Sequence, residues 1–324
     1  MAYSAEVVQR ARERLAQAKT DRESENLHRL MAAYEKVPRL KEIDLELRKS
    51  MVRAARTVYA QNSDVRSVME EVKNANLALQ KERSELVKLH FGEGGLAEEP
   101  VCSRCGGLGY VGANMCQCLL ALCREEQKKE LSLLSGGMER FDQFRLDYYS
   151  DRYDNMFGAS PRAIIERNFD ICRRYATTFS GASGNLLFIG NTGLGKTFLS
   201  ACIAGVVAER GYSVCYETAS RLFGKLERAR FSGDEDARRE CEKYQSCDLL
   251  IVDDLGTEMP GQFVTAALYS LLNDRLMEKK PMVVSTNLNV DEVARRYSPQ
   301  IASRMKGDFA RLTFVGDDIR VMNK

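Results

Sequence analysis

The residues whose types and spacing could do chemistry fall into a few short stretches. The first is Gly190-Asn191-Thr192-Gly193-Leu194-Gly195-Lys196-Thr197. The spacing G-x-x-x-x-G-K-T suits a phosphate cradle, in which backbone N–H groups point inward and a following helix N-terminus adds positive dipole. Lys196 is placed to reach β- and γ-phosphates, and the Thr197 hydroxyl to ligate Mg²⁺. Gly193 and Gly195 let the backbone approach phosphate with no Cβ in the way. Phe198 completes the binding set. The plain alternative, a glycine turn between strand and helix, does not account for Lys196-Thr197.

The second stretch runs from Asp248 through Leu-Leu-Ile-Val to Asp253, Asp254, Leu255 and Gly256. It reads as a buried apolar strand ending in two acids. A strand tip beside the phosphate loop is where an Asp supports Mg²⁺, and Asp253 is that candidate. Asp254 stands where a glutamate often orients the attacking water. Its shorter side chain predicts slow hydrolysis, and Glu258 is a nearby alternative acid. The third stretch, Pro281 to Asn287, is another apolar strand with a polar end. Asn287 is placed to bond the γ-phosphate or the attacking water, although an Asn ending a strand is otherwise a turn former. In the fourth, Pro299 starts a short helix carrying Arg304. An arginine there suits a finger reaching a neighbouring subunit's nucleotide, a device worth roughly 10³–10⁵ in rate. Arg320, near the end, is a second candidate, acting in cis.

A different chemistry lies upstream. Cys102-Ser-Arg-Cys105 is followed after ten residues by Cys116-Gln-Cys118. Four soft ligands in a tetrahedron suit structural zinc, and a C-x-x-C pair spans one edge of it. His28 and His90 both lie outside the segment, so an all-cysteine site is the natural assignment, with Cys123 a possible substitute ligand. A redox pair or an iron–sulfur site stays open, though the spacing suits neither well. Four thiolates leave no open position, so no catalysis is expected at this metal.

These residues need elements to hold them. The segments 186–190, 213–217, 249–254, 281–286 and 311–315 read as strands with helical text between most of them, the pattern of a parallel α/β sheet. Residues 198–210 read as a helix packed on both sides. Ahead of this core, Ala5 to Lys36 and Leu40 to about Lys88 read as helices interrupted at Pro38. Leu40, Ile43, Leu47, Met51 and Ala54 form one apolar stripe. Val65, Val68, Val72, Leu79, Leu86 and Leu89 form a looser second one. A small helical bundle and a partner-binding arm are equally compatible with them. The expected organisation is a helical region over 1–90, a cysteine knuckle and hinge over 91–135, and the α/β core over 136–324.

The chain has 324 residues and a formal net charge of +2, so bulk charge argues neither for nor against nucleic acid. Its ten cysteines are too scattered for a disulfide scaffold, and six of them read mostly as reduced core thiols. No stretch approaches eighteen consecutive apolar residues, and the N-terminus is charged from Glu6 onward. A membrane span and a secretory signal are therefore not expected, and the expected location is cytoplasmic.

The GNTGLGKT loop, the LLIVDDLG strand, the VVSTN strand and the IASRM segment together resemble AAA+ ATPases of the DnaC/DnaI helicase-loader group. The likeness covers roughly residues 140–324. The helical front followed by a cysteine knuckle is similar to the family's DnaI-like members. Arg140 to Tyr149 resembles the aromatic segment that precedes the core, near the family's adenine site. The resemblance implies an α/β P-loop AAA+ core with a parallel sheet and no C-terminal lid. It would follow a helical N-terminal region and a zinc knuckle, with ATP, Mg²⁺ and Zn²⁺ as cofactors. It further implies ATP hydrolysis, self-association through the AAA+ face, and engagement of a hexameric replicative DNA helicase through residues 1–90. The helicase would be placed on single-stranded DNA. The DNA would lie along Arg221 to Phe231, with Lys225, Arg228 and Arg230 as contacts, unless that stretch is an ordinary solvated helix. An IstB-type transposase helper shares the same core, and a non-hydrolysing nucleotide-switched adaptor is the third reading.

Overall fold

The computed structural model describes residues 3–61, 65–135 and 139–322. The chain divides into two compact units, Glu13–Cys118 and a second made of Met1–Arg12 with Leu119–Lys324.

Helix α1 spans Ala5–Lys36, with Glu6 in its first turn and Lys36 in its last. Both charges suit the helix dipole. Pro38 does more than interrupt. It opens α2 (Pro38–Gln61) at the first helical position, where its missing N–H leaves nothing unsatisfied. The text expected to be one helix from Leu40 onward is two, α2 and α3 (Val65–Phe91). Val37, Leu40 and Val87 form a small buried cluster, with Tyr34, Leu86, Phe91 and Leu96 packed against it. Arg39 pairs with Glu82 at 2.8 Å and Arg83 with Asp44 at 2.7 Å, tying α2 to α3. The side chains of Met51, Ala54, Val65 and Val68, which entered the expected stripes, lie outside the described residues. Beyond α3, strands β1 (Tyr110–Val111) and β2 (Asn114–Met115) form a short antiparallel hairpin.

In the other unit, α4 (Gln117–Ser135) precedes α5 (Pro161–Thr178). Then come β3 (Asn185–Ile189), α6 (Lys196–Glu209), β4 (Val214–Thr218), α7 (Ala219–Phe231) and α8 (Glu235–Ser246). The remainder is β5 (Leu249–Leu255), α9 (Gln262–Met277), β6 (Met282–Thr286), α10 (Val290–Arg296), α11 (Pro299–Asp308), β7 (Phe309–Thr313) and α12 (Ile319–Met322). The five expected strands are all present. β7 starts at Phe309 rather than at 311, because Phe309 is buried and pairs with Asn185.

The sheet is parallel throughout, in the order β4-β5-β6-β3-β7. It is covered on both faces, which is why its strands read as continuous apolar runs. Along β3, Leu186 and Phe188 enter one core with Leu199, Ile203 and Val207 of α6. Leu187 points the other way and joins Leu222, Leu250, Leu268 and Ile301. Helix α6 is buried from Leu199 to Ala204 and again at Val207 and Ala208, as its two-sided apolar text predicts.

The strand order adds a detail that the sequence does not carry. Asp253 was expected on a strand tip beside the phosphate loop. β6 separates β5 from β3, so on that side the neighbour of the loop strand is the one that ends at Thr286, just before Asn287. No helix among the described residues is long and apolar enough to cross a membrane.

Phe188 is fully buried, with its ring 5.2 Å from that of Phe314. Phe188→Ala is expected to cost about 3–5 kcal/mol of unfolding free energy. Urea titration followed by far-UV circular dichroism checks this, the midpoint falling while the slope is unchanged.

Candidate nucleotide site and metal centre

Gly190 to Gly195 connect the end of β3 to the start of α6 and are anchored on both sides. The Gly190 N–H donates to the Thr286 carbonyl of β6 at 3.3 Å, and the Phe314 N–H donates to Ile189 at 2.7 Å. Gly193 and Gly195 have φ of +75° and +84°, in the left-handed region where a side chain is strained. A Cβ on Gly190 would also collide with the Phe314 carbonyl. Local backbone geometry thus requires the glycines of the motif as well as any ligand does.

Lys196 is 5 % exposed, and its ammonium donates to the carbonyls of Gly190 at 2.7 Å and Asn191 at 2.6 Å. Burial pushes its pKa down, and the charges of Asp254 and Asp253 oppose that. The cation therefore sits inside the curve of the loop, facing both acids. Thr197 is exposed at the first turn of α6.

Asp253 is buried at the end of β5. It accepts from the Tyr216 hydroxyl at 2.9 Å and from the Ser285 hydroxyl. Ser285 in turn accepts the Asp254 N–H at 2.9 Å. Tyr216 also meets Ser200 at 3.2 Å, and Ser200 donates to the Thr197 carbonyl at 2.9 Å. One hydrogen-bonded chain therefore runs from α6 through β4 to β5 and β6. It holds the Asp253 carboxyl near the loop although a strand lies between. Ser285 and Tyr216 escaped the sequence reading. The available signal was a lone polar group inside an otherwise apolar strand.

Asp254 has φ of +54°, beside a register irregularity between Val252 and Leu255. Burial, and then the charge of Asp253, raises its carboxyl above the usual range. Such an acid is suited to accept a proton from water. Glu258, the alternative, is already committed. It accepts from the Gly256 N–H at 2.9 Å and from the Tyr297 hydroxyl, and it lies 3.5 Å from Arg296. Asn287 is exposed next to Gly256.

Arg304 lies on α11, its guanidinium 5.2 Å from the centre of the Tyr269 ring. It borders a groove of about 650 Å³ lined by Gln262, Thr265, Tyr269, Arg296, Tyr297 and Ser298. The described structure pairs it with Tyr269 and not with Gly190–Thr197. Arg320 does approach the loop. Ile319 N–H donates to the Gly193 carbonyl at 3.1 Å, and Asp318 accepts the Arg320 N–H at 3.0 Å. The Arg320 charge bears on both Lys196 and Asp254.

The aromatic segment before the core is packed rather than free. Phe144 stacks on Phe169 at 5.3 Å and on Tyr149 at 6.0 Å. Tyr149 is buried, and its hydroxyl donates to the Leu194 carbonyl at 3.1 Å. These rings support the phosphate loop from behind. In the expected DNA stretch, Lys225 turns inward to Glu217 at 2.6 Å and Glu240 at 3.0 Å. It is not available as a phosphate contact. Arg228 and Arg230 are exposed, as is Phe231, whose ring lies 5.7 Å from that of Phe263.

Cys102, Cys105, Cys116 and Cys118 place their sulfurs within 4.8 Å of one another. Cys102 and Cys116 are 3.7 Å apart, and Cys105 and Cys118 are 3.4 Å apart. A tetrahedron with Zn–S bonds of about 2.3 Å has edges of about 3.8 Å, so the donor set fits zinc. The Gly109 N–H donates to the Cys105 sulfur at 3.3 Å. Burial alone would raise the Cys105 thiol, but that N–H and the Cys118 thiol bring it down to about 6. A ready thiolate is what a metal needs. Cys123 is fully buried and is not one of the four clustered sulfurs.

Residues 170–305 match the family profile described as IstB-like ATP binding protein. The replicative helicase loader DnaC of Escherichia coli K12 is 23% identical over 134 residues, 41% of this chain and 55% of that protein. The replicative helicase loader DnaI of Bacillus subtilis is 23% identical over 175 residues, 54% of each chain. The ATP-binding protein of insertion sequence IS232 of Bacillus thuringiensis is 28% identical over 142 residues, 42% of this chain and 56% of that one. The chain spans about half the length of the curated relatives it matches.

The raised carboxyl of Asp254 has a stability consequence. An acid whose folded pKa lies above its unfolded value favours folding below the unfolded value, about 3.9 for Asp, and loses that contribution as pH rises through the folded one. Asp254→Asn is therefore expected to be more stable than the parent, relative to acid conditions, once pH passes the carboxylate range. Thermal melts of both proteins across that window check it, and parallel pH profiles would contradict it.

Proposed function

We propose, from a chain whose residues 170–305 form an IstB/DnaC-like AAA+ ATPase domain, that the protein binds ATP with Mg²⁺ on Gly190–Thr197. We further propose that it uses slow hydrolysis to govern the loading of a replicative DNA helicase onto single-stranded DNA. The observation that carries the ATPase reading is the hydrogen-bonded chain from Thr197 to Asp253, with Lys196 facing Asp253 and Asp254. Thr197 and Asp253 would hold the metal, which supplies charge neutralisation at the β- and γ-phosphates. Lys196 exchanges its two loop carbonyls for phosphate oxygens. Asn287 orients the attacking water, and Asp254 accepts its proton. Arg304, directed at Tyr269 and an open groove, serves the nucleotide of a neighbouring copy.

Two relatives carrying the name helicase loader, together with helices α1 to α3 ahead of a four-cysteine cluster, favour the loader over the transposase helper. The insertion-sequence relative keeps that second reading in view. In the loader reading residues 1–90 grip the helicase, and residues 102–118 carry one structural zinc. Arg228, Arg230 and Phe231 face the DNA backbone and bases. The short side chain of Asp254 keeps hydrolysis slow, and in the limit of none the protein is a nucleotide-switched adaptor.

Residues 1–135 of the chain should co-purify with the host's replicative helicase. Capture of a transposase and duplex DNA instead would replace the loader with the helper. Lys196→Ala should abolish hydrolysis and weaken ATP binding by roughly tenfold or more. Persistent turnover in that variant would remove the ATPase assignment. Metal analysis should find about one zinc per chain, lost in Cys105→Ser.

A further inference from the structure

Asp254 holds a backbone conformation that its own chemistry does not favour. Its φ of +54° lies in the left-handed region, where a residue with a Cβ is strained. Such a conformation persists only where the surroundings over-determine it. Two sets of bonds do so here. On the side of β6, the Asp254 N–H donates to the Ser285 hydroxyl at 2.9 Å, and the Thr286 hydroxyl donates to the Leu255 carbonyl at 2.6 Å. The second set closes the turn 254–257. The Asp254 carbonyl accepts from the Thr257 N–H at 3.2 Å and from the Thr257 hydroxyl at 2.8 Å. Gly256, at φ of +108°, turns its N–H to the Glu258 carboxyl at 2.9 Å.

Glu258 is 5 % exposed, and both of its carboxyl oxygens are taken. One accepts the Gly256 N–H. The other accepts the Tyr297 hydroxyl and lies 3.5 Å from the Arg296 Nε. Arg296 also donates to the Glu258 carbonyl, so it grips the residue at both backbone and side chain. A buried carboxylate with a cation and two donors around it is fixed in place, because moving it would leave a desolvated charge unpaired. With its acceptor positions filled, it is suited to hold a backbone rather than to orient a water. Arg296 and Tyr297 close α10 and also line the groove that contains Tyr269. The side chains that fix Glu258 therefore belong to the groove wall, while the N–H that Glu258 fixes belongs to the turn of Asp254.

We propose that Glu258 is a positioning residue for hydrolysis, holding the turn 254–257, and through it the Asp254 side chain, where that side chain can accept a proton from water. The role rests on the ATPase reading above and assigns Glu258 a different part from the one its chemistry first suggests. It does not meet the water. It keeps a strained acid from relaxing, and Arg296 and Tyr297 keep Glu258 in place. Loss of the Glu258 carboxyl frees the Gly256 N–H and lets the turn open, so Asp254 can return to an unstrained φ with its carboxyl displaced. Gly190–Thr197 and Asp253 keep their own bonds, so ATP binding is spared.

The test measures ATP binding and hydrolysis by the full chain and its variants, with Mg²⁺ present. Glu258→Ala should lower kcat by roughly tenfold to a hundredfold, as a misplaced reacting group does, with the dissociation constant for ATP changed by no more than about twofold. Glu258→Gln keeps an acceptor oxygen for the Gly256 N–H and should recover most of the rate. Tyr297→Phe removes one bond to Glu258 while keeping the ring in the groove wall, and its kcat should fall between those of the parent and Glu258→Ala. Were Glu258 itself the base, Glu258→Gln would be as slow as Glu258→Ala, and that result overturns the proposal. So does a Glu258→Ala protein that melts earlier yet turns over at the parent rate. Should Glu258→Ala fail to fold, Tyr297→Phe decides, and a kcat equal to the parent's overturns the proposal. A parent with no turnover, or with turnover that survives Lys196→Ala, removes the ATPase reading instead. Amide hydrogen exchange then decides on the turn: Gly256 and Thr257 should exchange faster in Tyr297→Phe than in the parent, with β3 unchanged. Equal exchange at Gly256 overturns the proposal.

Discussion

A buried carboxylate must stand within reach of a buried ammonium with a strand between them, and the rest of the site follows from that constraint. Asp253 and Lys196 sit on elements that are not neighbours in the sheet. Ser285 and Tyr216 close the gap, each spending a hydroxyl on Asp253. Without them the acid would be a desolvated charge with unmet acceptor capacity, which a protein interior tolerates poorly. The acid is therefore held by three strands at once. Because β6 occupies the intervening place, the strand that leads into Asn287 also braces Asp253. Asp253 and the approach to Asn287 thus share one mechanical support.

Much of this was legible in the sequence because it is local. The strand, glycine loop and helix around Gly190–Thr197 are punctuated by residues whose backbone needs are intrinsic, and the five strands were found within two residues of their observed starts. What was not legible depends on which strand lies beside which. The role of Ser285 exists only because β6 separates β3 from β5, and no periodicity within β6 reveals that. Lys225 looked like a solvent-facing cation of an amphipathic helix. Its partners, Glu217 on β4 and Glu240 on α8, come from outside its helix, and only the packing of three elements turns it inward. The division of the helical front into α2 and α3 was missed for a different reason, since residues before and after it have similar helix propensity.

The cysteine cluster has a comparable logic on a smaller scale. A hairpin of two two-residue strands is marginal on burial alone. Its glycines at positive φ bring two pairs of sulfurs to tetrahedral spacing, so a metal would supply the free energy that side-chain packing there does not. The sheet needs no such help, being buried on both faces. The cysteine cluster would therefore depend on coordination, whereas the sheet depends on apolar burial.

Tyr149 offers a last consequence, an optical one. Its hydroxyl grips the Leu194 carbonyl inside the phosphate loop, while its own carbonyl accepts from Arg162 at the start of α5. The segment ahead of the core is thereby pinned to the loop, and a change in loop conformation is passed to the stacked ring of Phe144. The chain contains no tryptophan. An indole introduced at Phe144 would be the sole emitter of its kind, its environment set by the loop it leans on. The protein would then report the filling of its own site in real time, with no label attached to the nucleotide.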